Sequence, residues 1–254
     1  MAISKDIQII SFLERHQVLS VNELSELIGC AEMTIRRHLD SLEERNLVVR
    51  RHGCAYLTND AKPTIFDEQI KLNSREKFLI AHEASKMIRP NSTICFDSGT
   101  TIHRIVNLID PNIRFTAITP SLPFATELAK LGNVKIIMHS GTLNKNNLTL
   151  EYAPDILQKK INVDISFISC RSFKAPNGTY EHTDTLIANK RWFANIGKKT
   201  VLLADSSKWL KRSVQLCVSL KNIDTIITDS KILDEDVNLI RKLGKEIIVV
   251  SDVG

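Results

Sequence analysis

From about residue 76 to the C-terminus, short apolar runs alternate with helical periodicities, and most of the apolar runs end in a cluster of Ser, Thr, Gly and Asp. The strand candidates are 93–96, 115–118, 134–138, 164–168, 201–204, 223–228 and 246–250. Between them lie helical runs such as Ile102, Ile105, Val106 and Ile109, spaced i, i+3, i+4, i+7. Strands alternating with helices predict an α/β domain built on a mainly parallel sheet. The polar clusters are Asp97-Ser98-Gly99-Thr100-Thr101, Thr119-Pro120-Ser121, His139-Ser140-Gly141-Thr142, Ser169-Cys170-Arg171 and Asp205-Ser206-Ser207-Lys208. In open α/β sheets the ligand sits beyond the carboxyl ends of the strands, so five such loops on one edge would build a polar crevice.

The first loop says most about chemistry. A strand, then Asp97-Ser98-Gly99-Thr100-Thr101, then a helix places backbone N–H groups and three hydroxyls at a helix N-terminus, a natural anion site. No Gly-Lys-Ser/Thr follows it, and it is not a GxGxxG fingerprint. The competing reading is a plain helix cap by Asp97 or Ser98. Lys208 can neutralise the same anion or sit on the surface as an ordinary lysine. Lys190-Arg191 falls mid-helix, where a charge pair usually marks a solvated face; a ligand role is the alternative.

The first 57 residues read differently. Ile9, Phe12 and Leu13 form one amphipathic stripe. Ser20-Val21-Asn22-Glu23 is a capping box that opens a second helix with Val21, Leu24 and Ile28 inward, and Gly29 suits its C-terminus. Ile35, Leu39 and Leu42 repeat on a third. Two short helices joined by a Gly-containing turn describe a helix-turn-helix. With that stripe inward, Met33, Arg37 and Asp40 face out, flanked by Thr34, Arg36 and Ser41, so two guanidiniums and a hydroxyl are offered to a DNA groove. Leu47–Arg51 is β-prone, His52-Gly53 turns, and 55–57 can return as a second strand. A wing tipped by Arg50, Arg51 and His52 would reach phosphates. Helices, turn, basic third helix and basic hairpin follow the order of a winged helix-turn-helix, against the blander possibility of a three-helix module with solvated arginines.

Net charge does not carry this reading. The chain of 254 residues has a formal charge of +5. Residues 1–58 hold seven Lys/Arg against eight Asp/Glu, leaving 27 basic and 21 acidic groups in 59–254. The basic excess therefore lies in the larger part, and the DNA reading rests on local arginines. Residues 58–75 are polar and turn-rich and are expected to link a domain at 1–57 to one at 76–254.

Other chemistries find little support. Five cysteines, at 30, 54, 95, 170 and 217, show no CxxC pairing and suit reduced thiols. The seven histidines have no HxH or HExxH spacing, and no metal or cofactor is expected. His182 with Asp184 sits near an Asn177-Gly178 turn and reads as a surface loop. No apolar run approaches the length of a membrane helix, and no signal-peptide core is apparent, so a cytoplasmic protein with no membrane partner is expected.

Met33-Thr34-Ile35-Arg36-Arg37-His38-Leu39, with Arg51-His52-Gly53-Cys54-Ala55, resembles the N-terminal signature of the DeoR-type transcriptional regulators, usually T-I-R-R-D-L followed by H-G-G-A. His38 stands for the usual Asp, Cys54 for the second Gly, and Ala31 where a Ser usually caps the helix. The resemblance runs on through F-D-S-G-T-T, T-P-S-L, S-G-T, A-N-K-R, A-D-S-S-K-W and Ile226-Ile227-Thr228-Asp229. Pro120, Ser140 and Ser169-Cys170-Arg171 depart from the usual forms, and the Glu that usually precedes A-N-K-R is missing. The resemblance implies a C-terminal sensor domain related to ribose-5-phosphate isomerase-like folds, an operator in double-stranded DNA, and a phosphorylated sugar as effector. A homo-oligomer, dimer or tetramer, is expected because such regulators read pseudo-palindromes. The expected DNA contacts are Met33, Thr34, Arg36, Arg37, His38, Arg50, Arg51 and His52. The expected effector contacts are Asp97, Ser98, Gly99, Thr100, Thr101, Ser121, Gly141, Lys190 and Lys208. The leading expectation is a repressor of carbohydrate-metabolism genes with no catalytic residues. A sugar-phosphate isomerase using Asp97 or Asp205 would leave the helix-turn-helix unexplained, and a DNA-binding protein without a ligand is the third reading.

Overall fold

The computed structural model describes residues 5–16, 18–45, 47–51, 53–57, 70, 72–138, 140–144, 147–152, 161–211, 213 and 215–251. The chain forms two compact units, Met1–Gln69 and Ile70–Gly254. Most of the expected linker lies outside the described residues; Ile70, Asn73, Ser74 and Arg75 are part of the second unit.

The first unit has helices α1 (Lys5–His16), α2 (Val21–Ile28) and α3 (Glu32–Glu44) and strands β1 (Val18–Ser20), β2 (Val48–Arg51) and β3 (Cys54–Leu57). The expected capping box is present. The Ser20 hydroxyl accepts from the Glu23 amide at 3.2 Å, and the Glu23 carboxylate accepts from the Ser20 amide at 2.7 Å. Gly29 ends α2 at φ 69°, a left-handed conformation that costs a glycine little. Ile9, Leu13, Leu24, Ile35, Leu39 and Leu42 are fully buried together, so the three sequence stripes meet in one core. Replacing Ser20 by Ala is expected to lower the stability of this unit by about 1 kcal/mol, read by urea unfolding, because the Glu23 amide loses its acceptor. The wing has a third strand that the sequence did not announce. β1 pairs antiparallel with β3, Leu19 opposite Ala55, and β3 pairs with β2.

The second unit contains all seven expected strands in one parallel sheet. They are β4 (Thr93–Phe96), β5 (Phe115–Thr119), β6 (Val134–Met138), β9 (Val163–Ile168), β12 (Gly197–Leu203), β14 (Thr225–Asp229) and β15 (Glu246–Val250), in the order β15-β14-β12-β9-β4-β5-β6. Alternate residues face opposite sides, as strand geometry requires. Ile94, Phe96, Phe167, Val201, Leu203 and Ile227 pack on one face with α4 (Ser74–Ser85), α5 (Thr100–His103) and α6 (Leu122–Leu128). Cys95, Ile168, Leu202 and Ile226 pack on the other with α7 (Asp184–Ile196) and α9 (Asp234–Lys242). A three-stranded antiparallel sheet, β10 (Ser172–Lys174), β11 (Gly178–Glu181) and β13 (Gln215–Ser219), covers this second face. β7 (Gly141–Asn144) and β8 (Thr149–Tyr152) form a separate hairpin, and α8 (Ser207–Leu210) is a single turn.

The chain builds β4, β5 and β6 outward on one side, then returns to lay β9 on the other side of β4. The sheet therefore has its topological switch point between β4 and β9, where the following loops diverge and leave a ligand crevice in folds of this kind.

Candidate functional site

On α3 the outward surface is what the helical step requires. Met33 is 76% exposed, Arg36 and Arg37 are exposed, and Thr34 is half-buried. Arg36 lies over Glu32 at 3.0 Å, an exposed pair of the kind that gives way cheaply to a phosphate. Arg37 carries no ion pair among the described residues. Two of the expected contacts are engaged elsewhere. His38 turns to α1, its Nδ1 2.6 Å from Asp6 Oδ1, while Arg45 donates to the other oxygen of the same carboxylate at 2.9 Å. Arg50 is not at the wing tip: its amide and Nε bond Glu43 at 3.0 and 2.9 Å, and a terminal nitrogen lies 2.5 Å from Asp40. These carboxylates hold the Arg50 guanidinium above its ordinary range. Arg50 thus fastens the wing to α3. The Arg51 side chain and His52 lie outside the described residues.

At the carboxyl edge of the parallel sheet, the switch point holds a buried charge cluster. Asp97 follows β4 and is 2% exposed. One of its oxygens accepts from the Ser169 amide at 3.0 Å, the Ser169 hydroxyl at 2.7 Å, and the Lys190 ammonium. Lys190 also donates to the Ser169 carbonyl at 3.0 Å and lies 3.5 Å from Glu181 Oε1. Glu181 in turn accepts from the Arg171 amide at 3.0 Å. Lys190 is 3% exposed, so the solvated face expected for Lys190-Arg191 is not what the helix shows there. The reason is tertiary: α7 lies on the sheet with Ile187, Lys190 and Ala194 on one stripe, and the lysine reaches a carboxylate at the sheet edge. Burial alone would lower the Lys190 pKa, but Asp97 and Glu181 outweigh it and hold it raised. Burial likewise opposes Asp97 ionisation and is overcome by Lys190 and Ser169, so Asp97 is held low. Glu181 has the opposite outcome: burial, aided by the Asp97 charge, keeps its carboxyl raised against the pull of Lys190. The cluster places Lys190 between Asp97 and Glu181 and joins the loops after β4 and β9.

A second polar group lies at the end of β12. Asp205, 1% exposed, accepts from Asn73 Nδ2 at 2.9 Å and from the Ser207 amide at 3.2 Å and hydroxyl. Lys208 Nζ is 3.9 Å from its other oxygen. Burial would raise the Asp205 pKa, but Lys208, the Ser207 hydroxyl and Lys77 bring it below the ordinary value. Asp229, ending β14, accepts from the Ser206 amide at 2.7 Å and the Lys231 amide at 3.0 Å, which gives the Ile-Thr-Asp run a structural duty between adjacent loops. Sequence reasoning passed over Asn73, Lys77 and Arg104. For Lys77 a signal was present: with Ile80, Ala81 and Ala84 it completes an i, i+3, i+4, i+7 stripe, a lysine on a buried helix face.

The remaining expected residues divide by cause. Ser121, 2% exposed, caps α6 by accepting from the Phe124 amide at 3.4 Å. Gly141, at φ 153°, is required by the hairpin, since a Cβ there would lie 1.7 Å from the Glu151 carbonyl oxygen. Thr100 and Thr101 are buried at 9% and 4%, with Ser98 half-buried beside them. The helix they open is one turn that passes into a 3-10 turn at Arg104–Leu108, so its dipole is smaller than the sequence implied; hydroxyls and amides are what this loop offers. Gly99 is fixed by packing: a Cβ would come within 2.4 Å of Ser169 Cβ and Oγ. Because that hydroxyl is tied to Asp97 and Lys190, Gly99→Ala is expected to destabilise the second unit by about 1–3 kcal/mol in urea unfolding. Among the described residues, no group of three or more His, Cys, Asp or Glu is placed to hold a metal ion, and no helix is long and apolar enough to cross a membrane.

Comparison with known proteins agrees with this division. Residues 6–61 match the DeoR-like helix-turn-helix domain, and residues 72–230 match the DeoR C terminal sensor domain. The chain is 32% identical over 227 residues to the HTH-type transcriptional regulator GolR of Listeria innocua, covering 89% of each chain. It is 27% identical to the HTH-type transcriptional repressor GlcR of Bacillus subtilis, covering 96% of this chain and 95% of that one. Among solved structures, ribose 5-phosphate isomerase A from Methanocaldococcus jannaschii aligns with a TM-score of 0.40 at 16% identity, covering 54% of this chain and 55% of that one. The sequence relatives are named as regulators of transcription, not as enzymes.

Proposed function

The chain belongs to the DeoR family of DNA-binding transcriptional regulators, and from that premise we propose that it represses carbohydrate-metabolism genes under the control of a phosphorylated sugar. Similarity to the transcriptional repressor GlcR of Bacillus subtilis supports repression. The operator is read by the N-terminal part of α3, with Arg36, Arg37, Thr34 and Met33 at the groove and the wing at the phosphates. The protein acts in the cytoplasm as a homo-oligomer, dimer or tetramer, matching a pseudo-palindromic operator.

The observation that carries the effector reading is that the loops after β4, β9 and β12, which hold Ser98, Thr100, Thr101 and Lys208, follow strands that are neighbours in the parallel sheet and leave it at the same edge. Ser98, Thr100 and Thr101 supply neutral donors, and Lys208 supplies charge. Asp97, Gly99, Ser121, Gly141 and Lys190 then support the site by holding its loops, since their polar groups are engaged within the protein or their shape is set by packing. An effector that binds the DNA-free state more tightly than the DNA-bound state shifts the population toward release, and the two affinities are linked reciprocally.

The test is a panel of phosphorylated sugars assayed for release of the full chain from its own promoter DNA. One member of the panel is expected to weaken operator binding, and Lys208→Ala is expected to blunt that response by about tenfold in half-maximal concentration while operator affinity stays intact. A panel without effect, or a Lys208→Ala protein that responds like wild type, contradicts the reading.

A further inference from the structure

Among the described residues the parallel sheet ends in two edge strands, β6 and β15. Sheets commonly guard such edges with charged side chains, because an open row of amides and carbonyls invites another strand. β6 carries the exposed Lys135 at its second position. β15 reads Glu-Ile-Ile-Val-Val, and its one charge is spent on its neighbours: Glu246 accepts from the Thr225 hydroxyl at 2.6 Å and lies 3.2 Å from the Lys199 ammonium. Val249 is 37% exposed, and Ile248 and Val250 are half-buried. The Glu246 amide donates to the Asp224 carbonyl at 3.3 Å, so Glu246, Ile248 and Val250 turn their backbone groups toward β14. The amides and carbonyls of Ile247 and Val249 therefore point out from the edge.

Beside this strand, α9 buries Val237 and Ile240 in the same cluster as Ile247. Asp234, Asn238 and Arg241, at i, i+4, i+7, form the next stripe round the helix, and all three are exposed. In the right-handed crossover that joins neighbouring parallel strands, that stripe lies on the β15 side. The helix is acidic in its first turn, at Asp234, Glu235 and Asp236, and basic in its last, at Arg241 and Lys242. Among the described residues, Asp234, Arg241 and Lys242 make no ion pair. A helix charged in this way is complementary to an antiparallel copy of itself.

We propose that β15 and α9 form the face through which the chain pairs with a second copy of itself. This rests on the reading that the protein is a homo-oligomer and names its surface. The two β15 strands meet antiparallel about a two-fold axis beside Ile248. Ile247 then lies opposite the partner's Val249, and the outward amides and carbonyls of both residues are satisfied. With strands about 4.8 Å apart and each α9 over the last seam of its sheet, the two helices come about 10 Å apart, an ordinary packing distance. They run antiparallel, so Asp234 faces the partner's Arg241 and the partner's Lys242, and Asn238 meets its own copy.

Sedimentation velocity of the full chain over a concentration series reads the association. Wild type is expected to dimerise with a Kd of about 1 µM or below. Val249→Pro removes an outward amide and leaves the β14 ladder whole, a place where an edge strand tolerates proline. It is expected to weaken dimerisation by about 100-fold, since a central hydrogen bond is lost on each side of the axis. Asp234→Lys is expected to weaken it by about tenfold, and Asp234→Lys combined with Arg241→Glu to recover most of that loss. Leu143→Lys, at an exposed leucine of the β7–β8 hairpin, should dimerise as wild type. If circular dichroism shows that Val249→Pro does not fold, Asp234→Lys and its charge-swapped partner variant decide. Dimers of wild-type affinity in Val249→Pro and Asp234→Lys overturn the proposal, as does a loss confined to Leu143→Lys; either result leaves the homo-oligomer in place on another surface. A wild type that stays monomeric at about 100 µM and occupies its promoter DNA as one copy overturns both readings. A Val249→Pro monomer that binds that DNA as tightly as wild type keeps the face and removes the need for a dimer at the operator.

Discussion

Lys190→Met is expected to destabilise the sensor unit by about 3–5 kcal/mol, the usual cost of removing one partner from a buried ion pair. The lysine is the only cation among the described groups bonded to Asp97, and its loss leaves Asp97 and Glu181 buried beside each other without it. The Ser169 carbonyl and hydroxyl lose a donor at the same time. Urea unfolding of the full chain, followed by circular dichroism at neutral pH, reads the change in the sensor unit's transition. Glu181→Gln makes the contrast. Burial raises its carboxyl, the amide keeps an acceptor for the Arg171 amide, and the variant is expected to stay within about 1 kcal/mol of wild type. The signs with pH differ. Asp97, held low, contributes stability that is present above its unfolded value and is lost as pH falls through the folded one. Glu181, held high, favours the folded state at low pH and loses that contribution as pH rises from the ordinary 4.5 through its raised folded value. Glu181→Gln should therefore gain on wild type as pH rises through that window. A Lys190→Met protein as stable as wild type would show that the ion pair does not hold the loops together.

The second large effect concerns DNA. Arg36→Ala combined with Arg37→Ala is expected to weaken operator binding by about 100-fold or more, since each such contact is worth roughly 1–3 kcal/mol. The helix should fold normally, because both side chains are exposed and only the Glu32 pair is lost. Anisotropy with the protein's own promoter DNA at fixed salt gives the affinity; repeating it across salt concentrations separates the two kinds of contact. A fall in the salt slope of about two assigns both arginines to phosphates, and an unchanged slope with lost discrimination assigns them to bases. Phosphorylated-sugar binding should be unaffected. An affinity that barely moves would place the operator on another surface. Arg50→Ala serves as the comparison, because its partners are Glu43 and Asp40, and its loss should loosen the wing before it touches the operator.

Much of this arrangement could be read in advance. The stripes of Ile9, Leu13, Leu24, Ile35, Leu39 and Leu42 were visible as helical periods and became one core, and the Ser20–Glu23 box formed with its expected bonds. All seven strands of the parallel sheet were visible as apolar runs closed by polar loops. Apart from β2 and β3 of the wing, strands of the smaller sheets were not, because three or four residues with mixed burial carry no period long enough to detect; β1 and β10 are pairs in space before they are patterns in sequence.

The local code settled what each segment becomes: period, caps and turn residues act within a few positions, and each is chemically complete there. Side-chain destinations were settled by the tertiary structure. Lys190 and Asp97 stand 93 positions apart, yet the crossover that lays β9 beside β4 brings them into one buried pair, turning a lysine that reads as solvated into an internal one. His38 and Arg50 were likewise spent on Asp6 and Glu43, and Lys77 was carried into the interior on the inner stripe of its helix. The reason is common to all: a charged group is directed by the field and solvation of its surroundings, and those exist only once distant segments have packed.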